Sequence, residues 1–192
     1  LCTVLFLSFT FVYLYFYQAD ILAVAQHVIS NGTTHYNRTI GAVIITVTLW
    51  LVQLAIFSYS QLRRRTYVLT FVPSLLLLGI LTDVSPQIDH ESYLGNWLWL
   101  FPLLMACYAG VLWVVRHFEP VETAVNSVGL FSRTVWINLL QLQLLFFMVC
   151  CIGCNDKVFH YRMRVENDMI SYNYRHATQV GADALATDSS LT

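Results

Sequence analysis

Apolar and polar positions fall into long blocks along this chain rather than into a fine alternation. Residues 1–19 carry no charge before Asp20, 39–62 lie between Arg38 and Arg63, and 66–82 lie between Arg65 and Asp83. Two further uncharged runs, 92–115 and 134–155, are bracketed by Glu91 and Arg116 and by Arg133 and Asp156. A helix crosses the hydrocarbon core of a bilayer in about 20 predominantly apolar residues. The pattern therefore predicts transmembrane helices near 1–17, 40–60, 67–82, 97–115 and 134–153, the first and third a little short. Barrel strands would show about ten residues of alternating character. Stretches such as Pro73 to Leu81 and Leu144 to Cys151 are apolar without alternation, and a lone helix satisfies its own backbone hydrogen bonds in lipid.

Shorter patterns fill the intervals. Ile21, Leu22, Val24, Ala25, Val28 and Ile29 share one helical face and Asp20, Gln26, His27 and Ser30 the other, with Asn31-Gly32 as a stop signal. At about 12 residues this helix is too short to span and is expected to lie in the interface or to dock on the bundle. The tripeptides Asn31-Gly32-Thr33 and Asn37-Arg38-Thr39 are glycosylation sequons in form, but read first as turn chemistry. In the tail, Asp156 to Ile170 predicts one helix, Ser171-Tyr172-Asn173 a turn and Tyr174 to Ala186 a second helix. The pair is expected to pack through Val165, Met169, Ala177 and Val180. The fold class is thus all-α: a polytopic membrane helix bundle of five transmembrane helices over residues 1–154, with a short helical-hairpin tail over 155–192.

Composition sharpens the class. The chain is 57% hydrophobic and only 11% charged, against about 25% charged residues in a soluble domain. Ten Lys and Arg against eleven Asp and Glu leave a net charge of -1. That excludes an ordinary soluble enzyme and a disordered tail, and gives no basic excess for nucleic acid. The lipid bilayer is the first expected partner. Nine of the 21 charged groups lie in residues 155–192, which marks that segment as water-exposed. The chain starts at Leu1 inside an apolar run with no basic stretch before it, so an upstream segment is expected rather than a cleaved signal peptide.

Charge placement sets an orientation. With five alternating spans, Arg63, Arg64, Arg65, Arg116 and Arg133 fall on one side and only Arg38 in the short loops opposite. The arginine side is then cytoplasmic, which puts the N-terminus inside and the loops 18–39 and 83–96 and the tail outside. Tyr13, Tyr15, Tyr17, Trp97, Trp99, Trp113 and Trp136 sit near span ends, where amphipathic rings favour the headgroup level.

Candidate chemistry is sparse. The outer loop 83–92 gathers Asp83, Asp89, His90 and Glu91. Carboxylates beside a histidine can act as acid and base, and the same residues can simply keep a loop wet. No metal-ligand spacing is present, and nothing in the pattern asks for a cofactor. No span carries an ionisable residue in its core, as pumps and proton relays do. The amides Gln53, Asn138, Gln141 and Gln143 are expected to hydrogen-bond between helices, and Pro73 and Pro102 to kink their helices. Cys151-Ile152-Gly153-Cys154 closes an apolar helix instead of opening one, so the dipole that activates a redox thiol is missing. Cys151 and Cys154 remain candidates for a disulfide, and Gly153-Cys154 for a lipid-modified cysteine.

Two resemblances add to this reading. Tyr174, Ala177, Ala184 and Leu185 match the spacing of half a tetratricopeptide repeat, while Gly181 and Ser189 depart from it, and Arg164 and Val165 replace the family's Leu and Gly in the preceding helix. Over about 30 residues the segment resembles that family. The resemblance implies a repeat-like binding surface and further repeats after Thr192, since at least three repeats are needed for a stable stack. The whole chain, through the runs Gln18 to His27 and Leu81 to Pro86, looks like uncharacterised multi-pass inner-membrane proteins of Bacteroides-type bacteria. That likeness implies a bacterial inner membrane with the tail in the periplasm.

The leading functional expectation is a membrane anchor presenting an extracytoplasmic helical-repeat scaffold to protein partners. A membrane-embedded transferase acting on a lipid-linked or envelope substrate, with Asp83, Asp89, His90 and Glu91 as its site, is the second. A transporter or channel subunit is the third.

Overall fold

The computed structural model describes residues 1–60, 62, 66–83, 97–118, 132–152 and 157–187. These residues form α-helices and no strand. Helix α1 (Cys2–Val12) runs into a π-helical turn, Tyr13–Tyr17, and the chain then bends by 71° into α2 (Ala19–Ile29). Next come α3 (Arg38–Ser60), a 3₁₀ turn Tyr67–Phe71 leading into α4 (Val72–Thr82), and α5 (Trp97–Phe118). Helices α6 (Arg133–Ile152), α7 (Lys157–Ile170) and α8 (Tyr174–Thr187) complete the chain.

Three of these, α3, α5 and α6, are long and apolar enough to cross a membrane, and a fourth crossing results if the bent pair of α1 and α2 is counted as one. The remaining apolar segment, Tyr67–Thr82, is shorter, spanning about 26 Å at the rises of 3₁₀ and α-helix. Among the described residues, three to four segments therefore meet the length and composition of a full span.

Local chemistry accounts for the boundaries. Asn37 caps α3: its Oδ1 accepts hydrogen bonds from the backbone N–H groups of Thr39 at 3.1 Å and Ile40 at 3.2 Å. After α2, Asn31 (φ 49°) and Gly32 (φ 76°) take left-handed conformations that end the helix. Of the two sequon asparagines, Asn31 thus serves the turn after α2 and Asn37 the start of α3. Pro73 does not kink a span. It sits in the first turn of α4, where its missing N–H has no intrahelical partner to lose, and the chain changes from 3₁₀ to α just before it. Pro102 lies inside α5.

The apolar helices run side by side and their ends coincide. At one end Thr3 of α1 meets the Tyr67 hydroxyl at 3.1 Å, and Gln53 of α3 donates to Thr70 at 3.1 Å. At the other end Arg38 of α3 donates to the Tyr15 carbonyl, and Trp97 of α5 donates to Asp83 at 2.7 Å. Midway, Ser74 donates to the Leu49 carbonyl at 2.8 Å, and the rings of Phe9 and Phe146 stack with centroids 4.0 Å apart. The main core is built from Phe6 of α1, Leu14 of the π-helical turn, Leu49 of α3, Phe71, Leu75 and Leu78 around α4, and Leu142 and Phe146 of α6. Helix α4 is central: none of Val72 to Thr82 is exposed. Helix α5 is peripheral, with Tyr108 as its buried residue, donating to the Leu69 carbonyl at 2.9 Å.

Candidate functional site

At the end of the bundle marked by Asp83 and Trp97, three helices form a second layer. Helix α2 is its base. Its apolar residues cover both faces, not one: Leu22 joins the main core, while Ile21 and Val24 form a separate small core with Phe159 and Met163 of α7. The contiguous run Ile21 to Ala25, all buried, is the sequence signal for that sandwich, and a one-face reading of the helix misses it. Ile29, expected on the buried face, is exposed.

Polar ties fix α7 in place. Asn167 donates to Asp20 of α2 at 3.0 Å, and the ring of His160 packs on Tyr17 at 4.6 Å. Helix α8 then packs antiparallel on α7 through Ala177 and Val180, both buried. His176 Nδ1 and Asp168 Oδ2 lie 2.7 Å apart across that hairpin. The expected partner Met169 is exposed instead, and Met163 of α7 is buried with Ile21 and Val24 of α2. Tyr174, Arg175, Thr178, Gln179, Ala182 and Asp183 leave α8 with an exposed, mostly polar outer face.

Beneath the layer lies a polar knot that the sequence did not announce. Gln18, at the 71° bend, is completely buried and its Nε2 donates to the Tyr13 hydroxyl at 3.0 Å, with Thr82 beside that hydroxyl. A π-helical turn precedes the bend, and such turns recur at functional sites. Next to it an apolar cleft of about 380 Å³ runs along Phe9, Val12, Tyr13, Phe16, Tyr17 and Cys150. Its lining is mostly apolar, with the Cys150 thiol and the rings of Tyr13 and Tyr17 as its only side chains that carry a polar group.

The residues singled out from sequence divide. Asp83 is placed at the C-terminus of α4 with its carboxylate engaged by Trp97. Asp89, His90 and Glu91 lie outside the described residues, as does Cys154. Cys151 is an exposed free thiol on α6. Ala177 is in the hairpin contact and Tyr174 is exposed; Ala184 and Leu185 are on α8, with side chains outside the described ones. Of the four span amides, Gln53 and Asn138 are buried in the bundle and Gln141 and Gln143 are exposed on α6. Among the described residues, no three His, Cys, Asp or Glu side chains gather closely enough to hold a metal ion.

No protein-family model matches the chain, and neither a curated protein nor a solved structure is similar to it. The site therefore stands on its own geometry: a helical layer rigidly seated on an apolar bundle, with one polar helix face turned outward.

Proposed function

We propose that this chain is a five-crossing membrane anchor that holds a small helical scaffold, α7 and α8, on the extracytoplasmic side for protein partners. The N-terminus is cytoplasmic and the tail periplasmic in a bacterial inner membrane. The observation that carries the reading is the seat of α7 on α2 through Phe159, Met163, Ile21 and Val24. A tail meant only to be solvated has no use for a second core. A docked pair, by contrast, presents one face in a fixed direction.

The same contact supports the crossing number. Helix α2 follows α1 and α7 follows α6, yet they touch, so the chain between them crosses an even number of times. Helices α3, α5 and α6 supply three crossings; Tyr67–Thr82, which runs from one end of the bundle to the other, supplies the fourth. Its shortness against a hydrocarbon core of about 30 Å is tolerable because it is shielded from lipid by its neighbours. With α1 the total is five. Large apolar side chains exposed all along the outer helices, among them Ile44, Leu51, Leu103, Leu140 and Phe147, favour lipid as their solvent. Exposed Trp99, Trp113 and Trp136 near helix ends fit an interfacial belt. Arg116 and Arg133 lie at the end opposite Arg38, on the side assigned to the cytoplasm.

Photo-crosslinking tests the scaffold. A benzophenone residue placed at Thr178, on the outer face of α8, should form protein adducts in intact cells, whereas one at the buried Ala177 should not. Labelling of a Thr178→Cys variant by an impermeant maleimide only after the membrane is permeabilised would overturn the topology.

A further inference from the structure

We propose that the seam between α1, α3 and Tyr67–Thr82 binds internal water, which completes Gln53 at one end, Gln18 at the other and the hydroxyls of Thr10 and Thr46 between them. This concerns the interior of the bundle and holds whichever end faces the cytoplasm, so it stands or falls apart from the scaffold reading.

Two buried glutamines pose the same problem. Gln53 is 1% exposed and Gln18 is completely buried. The Thr70 hydroxyl gives its one proton to the Tyr67 carbonyl at 2.8 Å, so towards Gln53 it can only accept. The Gln53 amide must then turn Nε2 to Thr70, at 3.1 Å, and its Oε1 is left with no hydrogen-bond partner in the chain. At the other end the Thr82 hydroxyl is committed to the carbonyls of Leu78 at 2.9 Å and Gly79 at 3.3 Å. The Tyr13 hydroxyl beside it therefore donates to Thr82 and accepts from Gln18 Nε2 at 3.0 Å. Gln18 Oε1 is again left without a partner. Turning either amide over would set its oxygen against a hydroxyl with no proton to give.

Unmet hydroxyls lie between the two. Thr3 meets Tyr67 and Phe6 meets Phe71, so α1 runs alongside Tyr67–Thr82 and brings Thr10 level with Ser74. Gln53 pairs with Thr70 and Leu49 with Ser74, so α3 runs antiparallel and places Thr46 about one turn beyond Ser74. Thr10 and Thr46 are both buried, and neither hydroxyl has a partner. Thr48 and Thr82, by contrast, donate to the carbonyl four residues back, at 2.8 and 2.9 Å. A buried polar group left unpaired is costly, and ordered water is what commonly meets such groups inside proteins. The chemistry selects water over an ion. No carboxylate lies on α1, α3 or Tyr67–Thr82 to balance a cation, while the unmet groups include both acceptors and donors, which one small neutral molecule serves.

X-ray radiolysis of the full chain in nanodiscs tests this, because hydroxyl radicals made from a bound water oxidise the side chain beside it. Tyr13, only 6% exposed, should be oxidised. Phe9, which lines the same cleft as Tyr13, and Phe159, buried in the outer layer, should not be, once rates are corrected for intrinsic reactivity. Equilibrium unfolding in mixed micelles gives an independent readout, since valine has the shape of threonine without the hydroxyl. With water bound, Thr10→Val and Thr46→Val each remove a satisfied hydrogen bond and should lower the folding equilibrium constant by up to about tenfold. A dry, unpaired hydroxyl would make the same replacements raise it. Phe9 oxidised as fast as Tyr13 would put the water in the cleft and not in the seam. Tyr13 as protected as Phe159, or either valine variant as stable as the parent or more so, would show the seam to be dry. Each of these outcomes overturns the proposal.

Discussion

Truncating Phe159 to alanine should release the outer layer while leaving the bundle intact. Phe159 and Met163 of α7 are almost fully buried against Ile21 and Val24. Burying a side chain of that size stabilises by about 1.5–3 kcal/mol, and the Asn167–Asp20 hydrogen bond adds about 0.5–1.5 kcal/mol. Docking is then worth about 4–7 kcal/mol. Phe→Ala in a core typically costs about 3–5 kcal/mol, most of that total. At about 1.4 kcal/mol per decade, the layer should open about a hundred to a thousand times more often. Hydrogen exchange by mass spectrometry in nanodiscs reads this directly, since opening of a cooperative unit exposes its amides together. Amides of α7 and α8 should lose two to three decades of protection while those of α3 and α6 keep theirs. Met169→Ala is the control: Met169 is 52% exposed and its loss should change stability by no more than about 0.5 kcal/mol. Unchanged protection in Phe159→Ala, or an equal fall in Met169→Ala, would show that the hairpin holds itself together and that its seat on α2 is incidental.

Other outcomes follow from single contacts. A Cβ added at Gly41 would sit 2.6 Å from the Tyr36 hydroxyl oxygen, so Gly41→Ala should lower the melting temperature through overpacking of about 1–3 kcal/mol, and Tyr36→Ala should relieve it in a double-mutant cycle. Asn37→Ala should cost about 1 kcal/mol by uncapping α3 while Asn37→Asp is tolerated, as thermal unfolding in detergent will show. Ala177→Arg forces a long charged group into the α7–α8 contact, and circular dichroism should report loss of tail helix with the bundle retained. Burial pushes the Tyr36 phenol above the ordinary tyrosine range, with Arg38 opposing more weakly. The neutral form is the one the fold favours, so its packing should persist through neutral pH and weaken only as pH rises past that range; tyrosinate absorbance measures it.

Helix positions were legible because lipid imposes one simple requirement, an uncharged run. The expected 40–60, 67–82, 97–115 and 134–153 became Arg38–Ser60, Tyr67–Thr82, Trp97–Phe118 and Arg133–Ile152. The tail helices fell within one residue of their expected limits. What covers each face was not legible. Periodicity marks which residues recur on a face, but Met169 and Met163 recur equally well on α7, and only the position of α2 decides that Met163 is inside. Gln53 and Gln141 likewise read as the same amide in the same kind of span; the neighbouring helices bury one and leave the other exposed. Pro73 escaped its expected role because a 3₁₀ turn moved the start of the α-helix to meet it.

The central place of α4 bears on how the protein is made. None of Val72 to Thr82 is exposed, and one of the helices packed on them, α6, is synthesised only from Arg133 onward. As the chain emerges, α1 and α3 are available to shelter α4 at once, but its remaining face must wait. A ribosome-bound intermediate ending before Arg133 would carry Leu75, Leu78 and their neighbours half-covered, beside the buried hydroxyls of Thr70 and Ser74. The short helix therefore cannot reach its final surroundings until α6 arrives, and that interval is when an insertion chaperone has something to hold.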